Sequence, residues 1–368
     1  MKKVYFLSLI LSSSVFASYS KPQLIARYSG VDSYNAPQGL YCFTAEPLPT
    51  AEGIFLGCRN QEGHSLMMRF SPKYELLATH ETSLFSNPKE VLGKTSWYEF
   101  SEAGVQKLFD FQKGFLSQRE LKNLGSLYSQ IDSFTPIKNE FYIYRCQDET
   151  KQILMWQNHT STPLFSEVTS HIFPPVTSTQ GDFIFKIRKG DTQESSPDQL
   201  ILWNGKFKTI LSDKDADPSS PFKSFRHQLA LDNETLAFIG IDDQGEALFL
   251  LRDGKFEEVA RVGKDLLSFD YFSAKLRNET LVFRGTDLDR RKVLWIYRHG
   301  ILERLLTQGD VVHTDKGLAR VDYKSQDALF YGAPGINEKG DIYQQATLTD
   351  IDSTITLLGI GLLQFKKE

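Results

Sequence analysis

The sequence predicts an all-β fold: a seven-bladed β-propeller of mostly four-stranded antiparallel blades, closed by pairing of an N-terminal strand with the last blade. Three observations lead there. One unit is repeated nearly residue for residue, an apolar anchor recurs along the whole chain, and turn residues separate the apolar runs at hairpin distances.

The repeated unit lies between residues 222 and 308. Leu231-Asp232-Asn233-Glu234-Thr235-Leu236 is answered by Leu276-Arg277-Asn278-Glu279-Thr280-Leu281. Each copy runs on into a second apolar strand (247–251, 293–297), a turn ending in Gly254 or Gly300, and a third strand (255–260, 301–306). Three or four short strands recurring about every 45 residues are the signature of a propeller blade.

The anchors extend this unit to both ends. Leu56, Phe100, Tyr144, Phe185, Phe238, Phe283 and Phe330 each mark a central strand, and their spacing drifts only with loop length. A further strand follows each one, at 66–70, 105–111, 153–156, 200–203, 247–251, 293–297 and 342–347. Asn204-Gly205, Asp253-Gly254 and His299-Gly300 are hairpin turns by composition. The second repeat is the least regular: Lys113-Gly114 supplies a turn, but 117–130 reads equally well as a short helix. Gln23–Tyr28 alternates like an outer strand and has no repeat of its own. It is expected to pair with the C-terminal repeat, against 355–358 or its neighbour, so that no sheet edge stays exposed. Residues 359–365 and 366–368 then finish the ring or trail from it.

Residues 1–17 read as a secretory signal peptide: Met1-Lys2-Lys3, an apolar run at 4–11, and Val15-Phe16-Ala17 before the expected cut. The run is too short to span a bilayer. Residues 18–368 are then one propeller domain, placed in the periplasm or secreted. Without Lys2 and Lys3 the 42 basic residues become 40 against 46 acidic ones, about −6. That balance argues against nucleic acid or an anionic membrane as partner.

The chain has three cysteines. Folding the hairpin about Pro47-Leu48-Pro49-Thr50 brings Cys42 opposite Cys58, which favours a disulfide in an oxidising compartment. Two small buried hydrophobes are the alternative. Cys146 belongs two repeats later, in a non-adjacent blade.

Residues 231–238 with 247–260, and 276–283 with 293–306, resemble exported bacterial propellers of the TolB-like and WD40-like group. The Ser-Pro-Asp-Gly hallmark of TolB-like repeats is represented only by Ser71-Pro72-Lys73, and the WD dipeptide is missing. The resemblance implies the fold and carries no catalytic residue across.

Chemistry is harder to locate. The seven histidines form no His-x-His or His-Glu-x-x-His pair, so no metal is expected. Asp213, Asp215 and Asp217 alternate as calcium ligands do, but Pro218-Ser219-Ser220 follows where such a loop wants Gly and a distant Glu. Asn158, Asn233 and Asn278 head glycosylation sequons, the last two at equivalent turns. There is no Gly-x-Ser-x-Gly elbow, phosphate loop or Cys-x-x-Cys, so no cofactor is expected. If the innermost strand of each blade precedes its central strand, Arg226, His227, Lys275 and Arg320 with Asp322 fall near the axis. Such a cationic cluster would hold an anionic ligand; a merely water-filled channel is the alternative. The resulting expectation is a monomeric, non-catalytic propeller that binds a protein or glycan of the cell envelope. The rivals are a purely structural module and a carbohydrate-active enzyme with carboxylates at the channel mouth.

Overall fold

The computed structural model describes the chain outside residues 1–17, 31, 43–44, 102–103, 121–130, 138–141, 147–151, 158–159, 167–169, 190–196, 271–273, 323–327 and 353–355. The expected leader and the Asn158 sequon lie outside the described residues. Every regular element among the described residues is a strand, and no helix there is long and apolar enough to cross a membrane. The strands form small, mainly antiparallel sheets in a propeller-like arrangement, and seven hydrogen-bonded sheets are found among the described residues.

Local chemistry makes the hairpins. Asp253-Gly254 (φ 51° and 72°), His299-Gly300 (51° and 79°) and Lys113-Gly114 (52° and 79°) place both central turn residues in the left-handed region. A tight two-residue turn needs that backbone twist between antiparallel strands. Asn233 and Asn278 take the same conformation, at φ 49° and 48°, which explains why the repeat keeps Asn there. In the second sheet Phe115–Glu120 is a strand paired with Gly104–Gln112, so the helical alternative fails over those residues. Residues 121–130 lie outside the described set.

The core sits between neighbouring sheets. Ala237, Ile239 and Leu248 pack against Leu281, Phe283 and Val293 of the next sheet. Ile54, Leu56 and Met68 of the first sheet pack against Tyr331, Tyr343 and Leu362 of the last. A sheet covered on both faces needs apolar side chains on both sides of the pleat. That is why residues 247–251 are an unbroken buried run rather than an alternation.

The last sheet departs from the expected phase. Phe330 was expected in a second strand, but it opens the innermost strand, Phe330–Ile336. Ile342–Asp350, Leu357–Phe365 and then Gln23–Tyr28 follow it outward, with Gln23 opposite Gln364 and Tyr28 opposite Ile360. The slip has a cause: the hairpin formed by Val311–Thr314 and Gly317–Val321 occupies the stretch that sequence spacing assigns to the inner strand. It pairs instead beside Gln23 and against the end of Ile342–Asp350. Arg27 fixes it there. This side chain is 1% exposed and donates to both carboxylate oxygens of Asp315, at 2.9 and 2.7 Å, and to the Leu358 carbonyl. Residues 366–368 do not trail. Ser20 N–H donates to the Lys366 carbonyl and Glu368 N–H to that of Ser18, both at 2.9 Å.

A disulfide joins Cys42 and Cys58, whose Cα atoms are 4.4 Å apart. Tyr41, next to the first cysteine, bridges to Arg59, next to the second, so the backbones run close enough to carry it.

Candidate functional site: the axial chamber

The inner strands neighbour one another around the axis, and several are interrupted partway along. Three residues, Arg226-His227-Gln228, oppose the single position between Phe238 and Gly240. Gly332-Ala333-Pro334 oppose the one between Tyr343 and Gln345. Elsewhere the strand stops and restarts around Ser86-Asn87-Pro88 and Phe173-Pro174-Pro175. Proline removes a ladder donor, and extra residues bend the strand and re-aim side chains. At this level the sheets leave a cavity of about 650 Å³, within the range of a small-ligand site.

Its wall combines apolar residues, including Leu229, Leu231 and Ile336, with a few charged groups. Lys275 Nζ donates to Glu46 Oε2 at 2.9 Å. Burial alone would raise the Glu46 pKa, but Lys275 and Lys89 outweigh it and hold it down to about 2. Lys89 is lowered by burial and by the repulsion of Lys275, against the pull of Glu46. Arg277 donates to Glu90 Oε2 at 3.0 Å and its other terminal nitrogen lies 3.4 Å from Glu338. Burial raises Glu90 despite this partner.

A second part of the lining is aromatic. Phe173 meets His171 edge-on at 4.6 Å between centroids and stacks with His227 at 5.6 Å. Lys186 Nζ sits 4.7 Å from the Phe173 ring centre and pairs with Asp198 at 2.8 Å. Asp198 is fully buried. Burial would raise its pKa, yet two hydrogen bonds from Arg188 and the Lys186 charge keep it below the ordinary range.

The structure divides the four residues expected near the axis. His227 and Lys275 line the chamber. Arg226 does not: it is 53% exposed and donates to Glu246 Oε2 at 2.7 Å, because the bulge turns it away from its neighbour. Arg320 lies on the hairpin strand Gly317–Val321, paired with Thr349 and donating to the Gly309 carbonyl. It is displaced with the phase of the last sheet. His227 is also no cation at neutral pH, since burial and the charges of Lys186 and Arg226 lower its pKa below the usual 6.5. Sequence reasoning missed Glu46, Lys89 and Phe173. Each stands next to a proline, in Glu46-Pro47, Pro88-Lys89 and Phe173-Pro174, and a proline inside an expected inner strand was the available signal.

Two of the alternating aspartates, Asp213 and Asp217, act as turn acceptors. Asp213 receives the N–H groups of Asp215, Ala216 and Asp198, and Asp217 the N–H and hydroxyl of Ser219. No group of three or more candidate metal ligands occurs among the described residues.

No family model matches the chain, and no curated protein matches it. Solved structures do. The chain is similar to a puromycin-hydrolysing peptidase of Mycobacterium tuberculosis, with a TM-score of 0.54, 9% identity, and coverage of 85% of this chain and 51% of that one. It is similar to the acylaminoacyl peptidase of Pyrococcus horikoshii, with a TM-score of 0.50, 11% identity, and coverage of 91% and 58%. It is also similar to the β-propeller domain of the Trilobed protease from Pyrococcus furiosus, described as an open velcro topology, with a TM-score of 0.50, 13% identity, and coverage of 71% and 80%. The chain thus spans little more than half the length of the two peptidases. These likenesses establish the propeller fold. They also run against the expectation of a non-catalytic envelope scaffold and its carbohydrate-active rival, because the solved structures it resembles are two peptidases and the propeller domain of a protease.

Proposed function

We propose that the chain is a peptidase-type propeller whose axial chamber receives a short peptide, as the substrate-receiving part of peptide turnover. The chamber carries this reading: one 650 Å³ cavity offers apolar and aromatic walls for side chains and separate charged groups for chain ends. In this reading the propeller is a closed ring of seven blades formed by residues 18–368, monomeric, with Gln23–Tyr28 as the fourth strand of the last blade. The pairing of that strand with Leu357–Phe365 supports closure, as does the apolar cluster shared by the first and last sheets. The protein works after export, and the Cys42–Cys58 disulfide suits the oxidising compartment that export implies.

The test is binding of fluorescent tripeptides and tetrapeptides to the full chain, followed by anisotropy. Ala274→Trp, which places a large ring in the chamber wall, should abolish binding while the thermal transition stays cooperative. Absence of binding to any peptide, or equal binding by a folded Ala274→Trp variant, would overturn the reading.

A further inference from the structure

Among the described residues the charges that line the chamber do not balance. Among the described residues five charged side chains line it: Glu46, Glu90, Lys89, Lys275 and Arg277. Glu46 is taken by Lys275 and Glu90 by Arg277. The cations behind the wall are also engaged, Lys186 with Asp198 and Arg284 with Asp270 at 3.9 Å. Lys89 is the remaining cation. Its ammonium is within 4 Å of no carboxylate among the described residues, although it lies close enough to Glu46 to help hold that carboxylate ionised.

We infer that Lys89, beside the Glu46–Lys275 pair, seats the free C-terminal carboxylate of the bound peptide, so that the substrate class is short peptides ending in a free acid. The inference rests on the peptide-chamber reading. Two ammonium groups around one carboxylate leave an open anion position, and a second carboxylate would complete an alternating set of charges. Lys89 is partly desolvated and repelled by Lys275, so it gains more from an anion than an exposed lysine does. A neutral amide or ester end offers no charge to that position. An N-terminal ammonium would be repelled by it. The apolar and aromatic lining leaves the peptide's side chains to be held by burial, which discriminates weakly between sequences. The carboxylate contact is therefore the stronger selector.

The experiment compares Ala-Ala-Phe as free acid, Ala-Ala-Phe amide and sodium acetate on the full chain by titration calorimetry. The acid should bind about tenfold tighter than the amide, the gain of one charge-assisted contact. The difference should shrink as salt rises and disappear in Lys89→Met, while Lys89→Arg keeps it. Should Lys89→Met fail to fold, the salt dependence and the arginine variant carry the test. Equal binding of acid and amide would overturn the inference and leave the peptide chamber standing. Acetate binding as tightly as the tripeptide acid would reduce the site to an anion pocket and overturn it. If neither peptide form binds, the peptide-chamber reading fails and the inference falls with it.

Discussion

Lys275 and Glu46 stand 229 residues apart in sequence and 2.9 Å apart across the chamber wall. The first belongs to the inner strand Lys275–Arg277, the second to the segment entering the inner strand of the first sheet. Their pairing ties the first sheet to the sixth at the site. Its pH dependence follows from Glu46.

Glu46 ionises well below an ordinary glutamate, at about 2 rather than 4.5. A depressed folded-state pKa contributes stability that is fully present above the unfolded value and is lost as pH falls through the folded one. Glu46→Gln should therefore cost about 1–2 kcal/mol near pH 7, discounted for the partial exposure of the pair. The deficit should narrow below about pH 4 and vanish near pH 2. Urea titrations of wild type and variant between pH 2 and 7 check this. A pH-independent difference would show that the carboxylate charge is not what the site uses.

Removing residues 18–30 should destabilise the whole chain. That segment supplies the fourth strand of the last sheet, the Arg27–Asp315 clamp and the pairing of Ser18 and Ser20 with the C-terminal residues. On the proposed closure, joining the ends of a long chain costs entropy that grows only slowly with length, so a few strand pairs suffice to offset it, and losing them would leave an open edge. The expected outcome is a lower melting temperature with aggregation. Deleting 366–368 should produce a smaller loss in the same direction, because these residues extend the same ladder. An unchanged melting temperature for the longer deletion would place the seam elsewhere.

The Cys42–Cys58 bridge spans a sequence separation of 16 residues. On the chain-entropy account a loop of that size is worth up to about 3 kcal/mol. Thiol titration of the oxidised, denatured protein should find one free thiol, Cys146, and reduction should lower the unfolding midpoint. Three free thiols would refute the bridge.

The sequence by itself determined the propeller. Hairpin turns are local chemistry: Asp253-Gly254 and His299-Gly300 reach positive φ with little strain, and buried runs such as residues 247–251 mark strands covered on both faces. The link between Gln23–Tyr28 and the C-terminal repeat was readable for the same reason, since an outer strand without a blade needs a partner. The phase of the last sheet was not readable. Inner strand and hairpin strand share one alternation, and only packing placed Phe330–Ile336 at the axis while Gly317–Val321, with Arg320, went to the inserted hairpin. The chamber belongs to the same category. Its aromatic and charged residues come from separate sheets, and Glu46 meets Lys275 only when the first and sixth sheets are set around a common axis. A bulge then sends Arg226 to Glu246 and leaves His227 facing Phe173. Sequence spacing fixes order along the chain, whereas a site gathered from the middle of many inner strands is fixed by how those strands bend and which sheets become neighbours.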